Sequence, residues 1–185
     1  MVERAYSGLL ITFEGIEGAG KTTQIFLLAE SLKKEGWEVV HTFEPGATPI
    51  GRLIREFLFS HPIPAETETF LFVADRILHW KKVIAPALEE GKIVLCDRFS
   101  DSTYAYQGYG TGVSLKLIRE LHERTMHFPE PDLTILLDIP VEEAINEGDG
   151  RKGSYRIVQP RDRIERRPVE FHRKVRAGYL KLAQM

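Results

Sequence analysis

Apolar residues along the chain fall into runs of two alternating kinds. Leu9-Leu-Ile-Thr-Phe13 is continuously apolar and rich in strand formers, and a glycine-bearing turn follows it. From Lys21 the period changes: Ile25, Leu28 and Leu32 recur at helical spacing, and Gly36 is placed to end that helix. Trp37 to Thr42 alternates as a strand. Ile50 to Phe59 reads as a helix entered through Pro49. Pro64 opens a longer helix through Phe70, Val73, Ile77 and Trp80, which Pro86 interrupts or restarts. Lys92 to Cys96 is another buried-type strand. Ser114 is placed as the N-cap of a helix carrying Leu117, Ile118 and Leu121. Leu133 to Leu137 is a further strand and Val141 to Asn146 a short helix; Gly148, Gly150 and Gly153 mark a loop. A last helix runs from about Pro168 to Gln184. Strands that are apolar on both faces and alternate with helices predict an α/β fold, a parallel sheet covered on both sides.

Length and composition narrow this to one domain. At 185 residues the chain is long enough for a core without staples, and the lone Cys96 has no internal disulfide partner. Met1 to Gly8 is too polar for a signal peptide. No apolar run approaches the roughly 20 residues that span a bilayer. These features predict a cytoplasmic protein with no membrane partner. The formal net charge is −2, yet residues 151–176 hold ten basic and three acidic side chains, so the remainder is acidic. The near-neutral total speaks against a generally basic nucleic-acid binder. The cationic segment reads as a solvated face, as a nucleic-acid patch, or as arginines gathered to close over an anionic substrate.

Gly15-Ile-Glu-Gly-Ala-Gly-Lys-Thr22 matches G-x-x-x-x-G-K-[ST], between a predicted strand and a predicted helix. Gly15, Ile16, Glu17, Gly18, Ala19, Gly20, Lys21, Thr22 and Thr23 are therefore the candidate triphosphate cradle. Gly18 and Gly20 allow backbone N–H groups to turn toward phosphate oxygens, and the helix N-terminus adds its dipole. The Lys21 ammonium reaches the outer phosphates, and the Thr22 hydroxyl is a ligand for Mg²⁺. No Asn-Lys-x-Asp run, the usual guanine reader, follows. Asp97-Arg98 ends a predicted strand, at the sheet edge where open parallel sheets bind ligands. Asp97 is a second metal candidate, and Arg98 can clamp a phosphate bidentately. An Asp–Arg surface pair is the plain alternative. Phe72 by its spacing alone reads as core, Arg76 as an ion pair with Asp75 or a glutamate on a solvated face, and Tyr106 as a packed tyrosine.

Five ordered segments give the chain a resemblance to the thymidylate kinases of the bacterial type. They are Phe13 to Thr23, Glu44-Pro-Gly46, Phe72-Val-Ala-Asp-Arg76, Asp97-Arg-Phe-Ser-Asp-Ser102 running into Ala105-Tyr-Gln-Gly108, and Asp162-Arg-Ile-Glu165 leading to Arg176-Ala-Gly-Tyr-Leu180. The resemblance implies a P-loop nucleoside monophosphate kinase fold with strand order 2-3-1-4. It also implies a lid at about 147–167 and a homodimer. The implied reaction is transfer of the ATP γ-phosphoryl group to dTMP with Mg²⁺, giving dTDP for dTTP biosynthesis. Arg98 would bind the dTMP phosphate, Phe72 stack on thymine, and Arg76 bond the base edge, with Thr103 and Gln107 nearby. Tyr106 would lie against the sugar, and Glu17 would accept from the 3′-hydroxyl. Lys21 and Arg98 would be catalytic, joined by a lid arginine from among Arg151, Arg161 and Arg163, with Lys152 and Arg156 also in reach.

The chain departs from the family pattern in three places. Phe43 stands where an arginine is frequent, Asn146 to Gly150 replaces an arginine-rich entry to the lid, and Met185 precedes the usual fifth strand, which is left open. Other readings are a kinase for another nucleoside monophosphate or for a deoxynucleoside, and a catalytically weak nucleotide-binding relative.

Overall fold

The computed structural model describes residues 6–126, 130–144 and 162–185. Strand β3 (Ile93–Asp97) buries the side chains of Ile93, Val94, Leu95 and Cys96 in succession. That pattern requires cover on both faces of the sheet. Strand β3 pairs in parallel with β2 (Val39–Phe43) and with β1 (Leu9–Glu14), and β1 pairs in parallel with β4 (Leu133–Leu136). The order is β2-β3-β1-β4, as expected, and the described residues hold these four strands. In this register Phe13 and Phe43 both stand opposite Asp97, so three carboxyl ends finish level and form one edge.

Helix α1 (Lys21–Lys34) lays Ile25 and Ala29 on Phe13, Ile93 and Leu95. It closes with Gly36 N–H on Lys33 O and Trp37 N–H on Leu32 O, both at 3.0 Å. These are bonds of the Schellman kind, and they hold Trp37 back from the strand it was expected to open. Helix α2 (Pro49–Ser60) starts on Pro49, with Thr48 Oγ1 accepting from Gly51 N–H at 2.9 Å. Helix α3 (Ala65–His79) does not stop at Pro86. It widens into a π-helical turn, Trp80–Ile84, and continues as α4 (Ala85–Glu89) with Pro86 in the first turn. A wider turn gives room to the proline ring and shifts the bonding register past its missing N–H.

Residues 98–113 carry no helical signal in the sequence, yet they fold as α5 (Ser100–Thr103) and a second π-helical stretch, Tyr104–Gly110. Ala105, Tyr106, Gln107 and Gly108 are all buried, so no amphipathic period is written there. Ser114 caps α6 (Leu115–Met126) as expected, through a long 3.5 Å bond from Leu117 N–H. Residues 141–144 are helical; the rest of the expected Val141–Asn146 helix, the altered lid entry and the loop at Gly148, Gly150 and Gly153 lie outside the described residues.

Helix α7 (Val169–Leu182) crosses the Tyr104–Gly110 stretch and buries Phe171, Val175 and Tyr179 with Tyr106, Ile16 and Ala19. The crossing is close. A Cβ on Gly178 would stand 2.8 Å from both Cβ and Cγ of Tyr109. In a helix Gly→Ala normally stabilises by up to about 1 kcal/mol, but these atoms lie at the root of the ring and cannot swing away. Gly178→Ala is therefore expected to destabilise the fold by about 1–3 kcal/mol, read as a lower midpoint in thermal or urea unfolding. A rise in the midpoint would contradict the close packing.

Candidate active site

The loop after β1 is held by its own short side chains. Ile16 and Ala19 are buried in the α7 cluster. Gly15 (φ +140) and Gly18 (φ +81) take conformations that L side chains rarely adopt, and a Cβ there would meet Leu137 O at 2.4 Å and Ala144 O at 2.9 Å. Gly20 leads into α1, and Thr23 is exposed on its first turn. Lys21 Nζ donates to Gly15 O at 3.1 Å and to Ile16 O at 2.9 Å, which keeps the ammonium within the loop. Thr22 Oγ1 donates to Asp97 Oδ2 at 2.7 Å. This oxygen-only pair suits a hard divalent cation such as Mg²⁺.

The level strand ends open into a cavity of about 500 Å³. Glu17, Gly18, Lys21 and Thr22 of the loop line it together with Asp97, Arg98, Phe72, Arg76, Thr103, Tyr106 and Gln107. These sequence candidates come from three separated segments and meet in one place. Arg163 does not line it; its Nε donates to Leu58 O at 3.0 Å and its guanidinium pairs with Glu68. Arg151, Lys152, Arg156 and Arg161 lie outside the described residues. Phe43 lines the cavity, as does Arg55, which donates to Pro45 O at 2.9 Å and brings a cation to that wall from α2.

Arg98 has a left-handed backbone (φ 71) immediately after β3. A non-glycine residue there costs about 1–2 kcal/mol and persists where surroundings over-determine it. They do: its guanidinium donates to Gly15 O at 3.0 Å, Ser102 Oγ at 3.2 Å, Tyr179 Oη at 3.1 Å and Tyr106 Oη at 3.2 Å, and pairs with Glu17. Tyr106 Oη donates to the same Glu17 oxygen at 2.9 Å. The phosphate loop and the 98–106 segment are thus tied at one point.

Arg76 is not on a solvated face. It is 1% exposed, and its charge is met by Glu44 Oε2 at 2.7 Å, Thr103 Oγ1 and Phe99 O at 2.9 Å, and His122 Nε2 at 2.8 Å. Burial and the neighbouring Arg76 charge push the His122 pKa down to about 3, so the neutral ring accepts through Nε2. Its Nδ1 is buried with no hydrogen-bond partner. Burial alone would raise the Glu44 pKa, but the Arg76 charge and the bond from His79 Nδ1 at 2.9 Å outweigh it and hold it low. Glu44, His79 and Cys96 bring possible ligand atoms within 4.8 Å of one another. The carboxylate is already taken by Arg76 and His79, and burial pushes the Cys96 thiol pKa well up, so this cluster is a bonded core.

Glu68, Glu14 and Tyr179 were not among the sequence candidates. Glu68 has a legible signal, since it precedes Phe72 by four residues and Arg76 by eight, on one face of α3. Tyr179 has none, because it bonds Glu14 Oε2 at 2.9 Å across 165 residues of chain. Glu14 also accepts from Phe99 N–H at 2.7 Å and Ser102 Oγ at 2.6 Å. Burial first, then the charge of Asp101, raises its pKa from 4.5 to about 7.

A triphosphate loop and an arginine-bearing recess that share one cavity at the edge of a parallel sheet mark a P-loop phosphotransferase of the nucleoside monophosphate kinase type. Known proteins narrow the class. The chain belongs to the thymidylate kinase family, whose model matches residues 13–185. It is 46% identical over 179 residues to the thymidylate kinase of Halothermothrix orenii, covering 96% of this chain and 84% of that one. It is 47% identical over 180 residues to that of Maridesulfovibrio salexigens, covering 96% and 83%. The crystal structure of thymidylate kinase from Ehrlichia chaffeensis superposes with a TM-score of 0.76 at 36% identity, over 96% of this chain and 81% of that one.

The Glu14 pKa has a consequence for stability. Between its unfolded value of 4.5 and its folded value of about 7, the folded state keeps a proton that the unfolded state has lost. The stability this group contributes is full below pH 4.5 and lost as pH rises to about 7, on the order of 3 kcal/mol. Glu14→Gln should therefore gain in melting temperature relative to the wild type as pH is raised from 5 to 8. Parallel melting curves across that range would refute the raised pKa.

Proposed function

We propose that this chain transfers the γ-phosphoryl group of ATP to dTMP, giving ADP and dTDP. The observation that carries this reading is the meeting of the phosphate loop with Arg98, Phe72, Arg76 and Gln107 around one cavity. The backbone of Gly15 to Thr23 cradles the ATP phosphates, and the Lys21 ammonium takes up charge on the outer ones. Thr22 and Asp97 would hold Mg²⁺, which when bound neutralises phosphate charge. Arg98 binds the dTMP phosphate, with Arg55 on the same wall. Phe72 offers its ring face to thymine, Arg76 and Gln107 its polar edge, and Thr103 closes the recess. Tyr106 lies against the sugar, and Glu17 accepts from the 3′-hydroxyl.

An oxygen of the dTMP phosphate then attacks the γ-phosphorus in line with the leaving ADP oxygen. Charge spreads over the equatorial oxygens, so a site built from Lys21 and arginines stabilises it. The chain is read as a single domain with a lid at about 147–167, whose Arg151 or Arg161 completes that set. Arg163, held by Glu68 and Leu58, serves as an anchor of the lid. Another acceptor, or a role without catalysis, is not favoured, because curated relatives near 45% identity carry the thymidylate kinase name.

No helix among the described residues is long and apolar enough to cross a membrane. We place the chain in the cytoplasm as a homodimer packed through α2 and α3, where Ile50, Leu53, Phe57 and Phe70 are 43–67% exposed. Sedimentation should give twice the monomer mass, and Leu53→Glu should shift it to one.

In a coupled assay of dTMP-dependent ADP formation the protein should turn over. Lys21→Ala should lower kcat by at least about 100-fold with the fold retained. Arg98→Ala should raise the KM for dTMP by about 10- to 100-fold and leave that for ATP nearly unchanged. Equal effects of Arg98→Ala on both substrates would remove it from the dTMP site.

A further inference from the structure

We propose that Glu68 is a positioning residue that sets base selectivity by locking the side-chain amide of Gln107 with its carbonyl oxygen toward the cavity. The proposal rests on the reading of that cavity as the dTMP site. Glu68 is fully buried. Its Oε1 accepts from Gln107 Nε2 at 2.9 Å, and its Oε2 is filled by Arg167 Nη2 at 2.9 Å and by Arg163. A carboxylate has acceptor sites only. The amide of Gln107 must therefore turn its NH₂ group to Glu68, since the opposite orientation would set oxygen against oxygen in a dry interior. Gln107 is itself 2% exposed and lines the cavity, so its carbonyl oxygen is the end left for a ligand. The orientation follows from the chemistry of the partner.

The same cavity wall carries Arg76. A guanidinium has five N–H donors and no acceptor, and four of these donors meet Glu44, Thr103, His122 and Phe99. The wall thus offers a fixed donor and a fixed acceptor. A keto pyrimidine presents the complement, its C4 carbonyl accepting and its N3–H donating. Cytosine exchanges both roles, with an exocyclic amine at C4 and a bare N3. Against Gln107 and Arg76 it sets donor on donor and acceptor on acceptor. A site built to bond such groups rejects the analogue strongly, because its buried polar groups are left unpaired. Thymine and uracil are alike to this pair, so the 5-methyl group is read elsewhere.

The test is the ratio of kcat/KM for dTMP to that for dCMP in the full chain. In Glu68→Gln the new amide offers either a donor or an acceptor, Gln107 is free to turn over, and the ratio should fall by at least about tenfold. Loss of the ion pairs to Arg163 and Arg167 affects both nucleotides alike and cancels in the ratio, as would any general loosening. The double variant Glu68→Gln with Gln107→Glu restores an acceptor-only group facing the base and should recover the preference, a rescue that a purely structural role does not give. If Glu68→Gln does not fold, Gln107→Ala carries the test, since deleting the locked amide must lower the ratio as well. A wild-type ratio in a folded Glu68→Gln or Gln107→Ala overturns the proposal while dTMP turnover by the wild type stands. Absence of dTMP turnover by the wild type overturns the reading of the site and the proposal with it.

Discussion

A buried guanidinium tolerates no carelessness around it. Arg76 sits on α3 with 1% of its surface exposed, and each N–H that lacked an acceptor in such a place would cost more than most packing contacts contribute. Its partners come from the end of β2 (Glu44), from the start and end of the short helix after β3 (Phe99 and Thr103), and from α6 (His122). Satisfying one side chain therefore sets the mutual positions of four elements, and the cavity is what those positions leave between them. Its floor is rigid for the same reason. Glu44 is in turn bonded to His79, which meets Thr42 at 2.6 Å, so the restraint runs back along α3 and into the sheet.

Much of this is written locally and is legible without coordinates. The phosphate loop is a contiguous string whose residue types each answer one demand of a triphosphate. The strands are continuous apolar runs, and the caps at Ser114 and Gly36 lie where helix-end chemistry puts them. Strand order was legible only through the family resemblance, because spacing alone does not say which strand lies beside which. What escaped the sequence is non-local or aperiodic. The π-helical stretches at Trp80–Ile84 and Tyr104–Gly110 erase the 3.6-residue signature, one by absorbing Pro86 and the other by burying four residues in a row. Arg163 reads as a lid arginine until the fully buried Glu68 is seen to hold it.

The distribution of charge also takes on a structural meaning. The described part of the cationic stretch, residues 162–176, is not a uniform solvated face. Arg163 and Arg167 converge on Glu68, Arg173 reaches Glu142, and Arg176 grips Asp138 with two bonds at 2.6 and 2.7 Å. Many of these arginines serve as staples that fasten α7 and the segment before it to the acidic body. The outer pairs are exposed and weak singly, while the pair on Glu68 lies in the interior and carries more.

Helix α7 supplies Tyr179 to the same group of side chains as Glu14, Ser102 and Arg98, although it is the last described helix in chain order. Contacts this distant in sequence form late, because the intervening loop must close before they return any energy. During synthesis the phosphate loop emerges early and waits for α7 before Tyr179 can pack beside Ile16 and Ala19 and bond Glu14. A growing chain thus carries the phosphate-loop motif long before Arg98 and Glu14 beside it gain the hydroxyl that α7 brings to them.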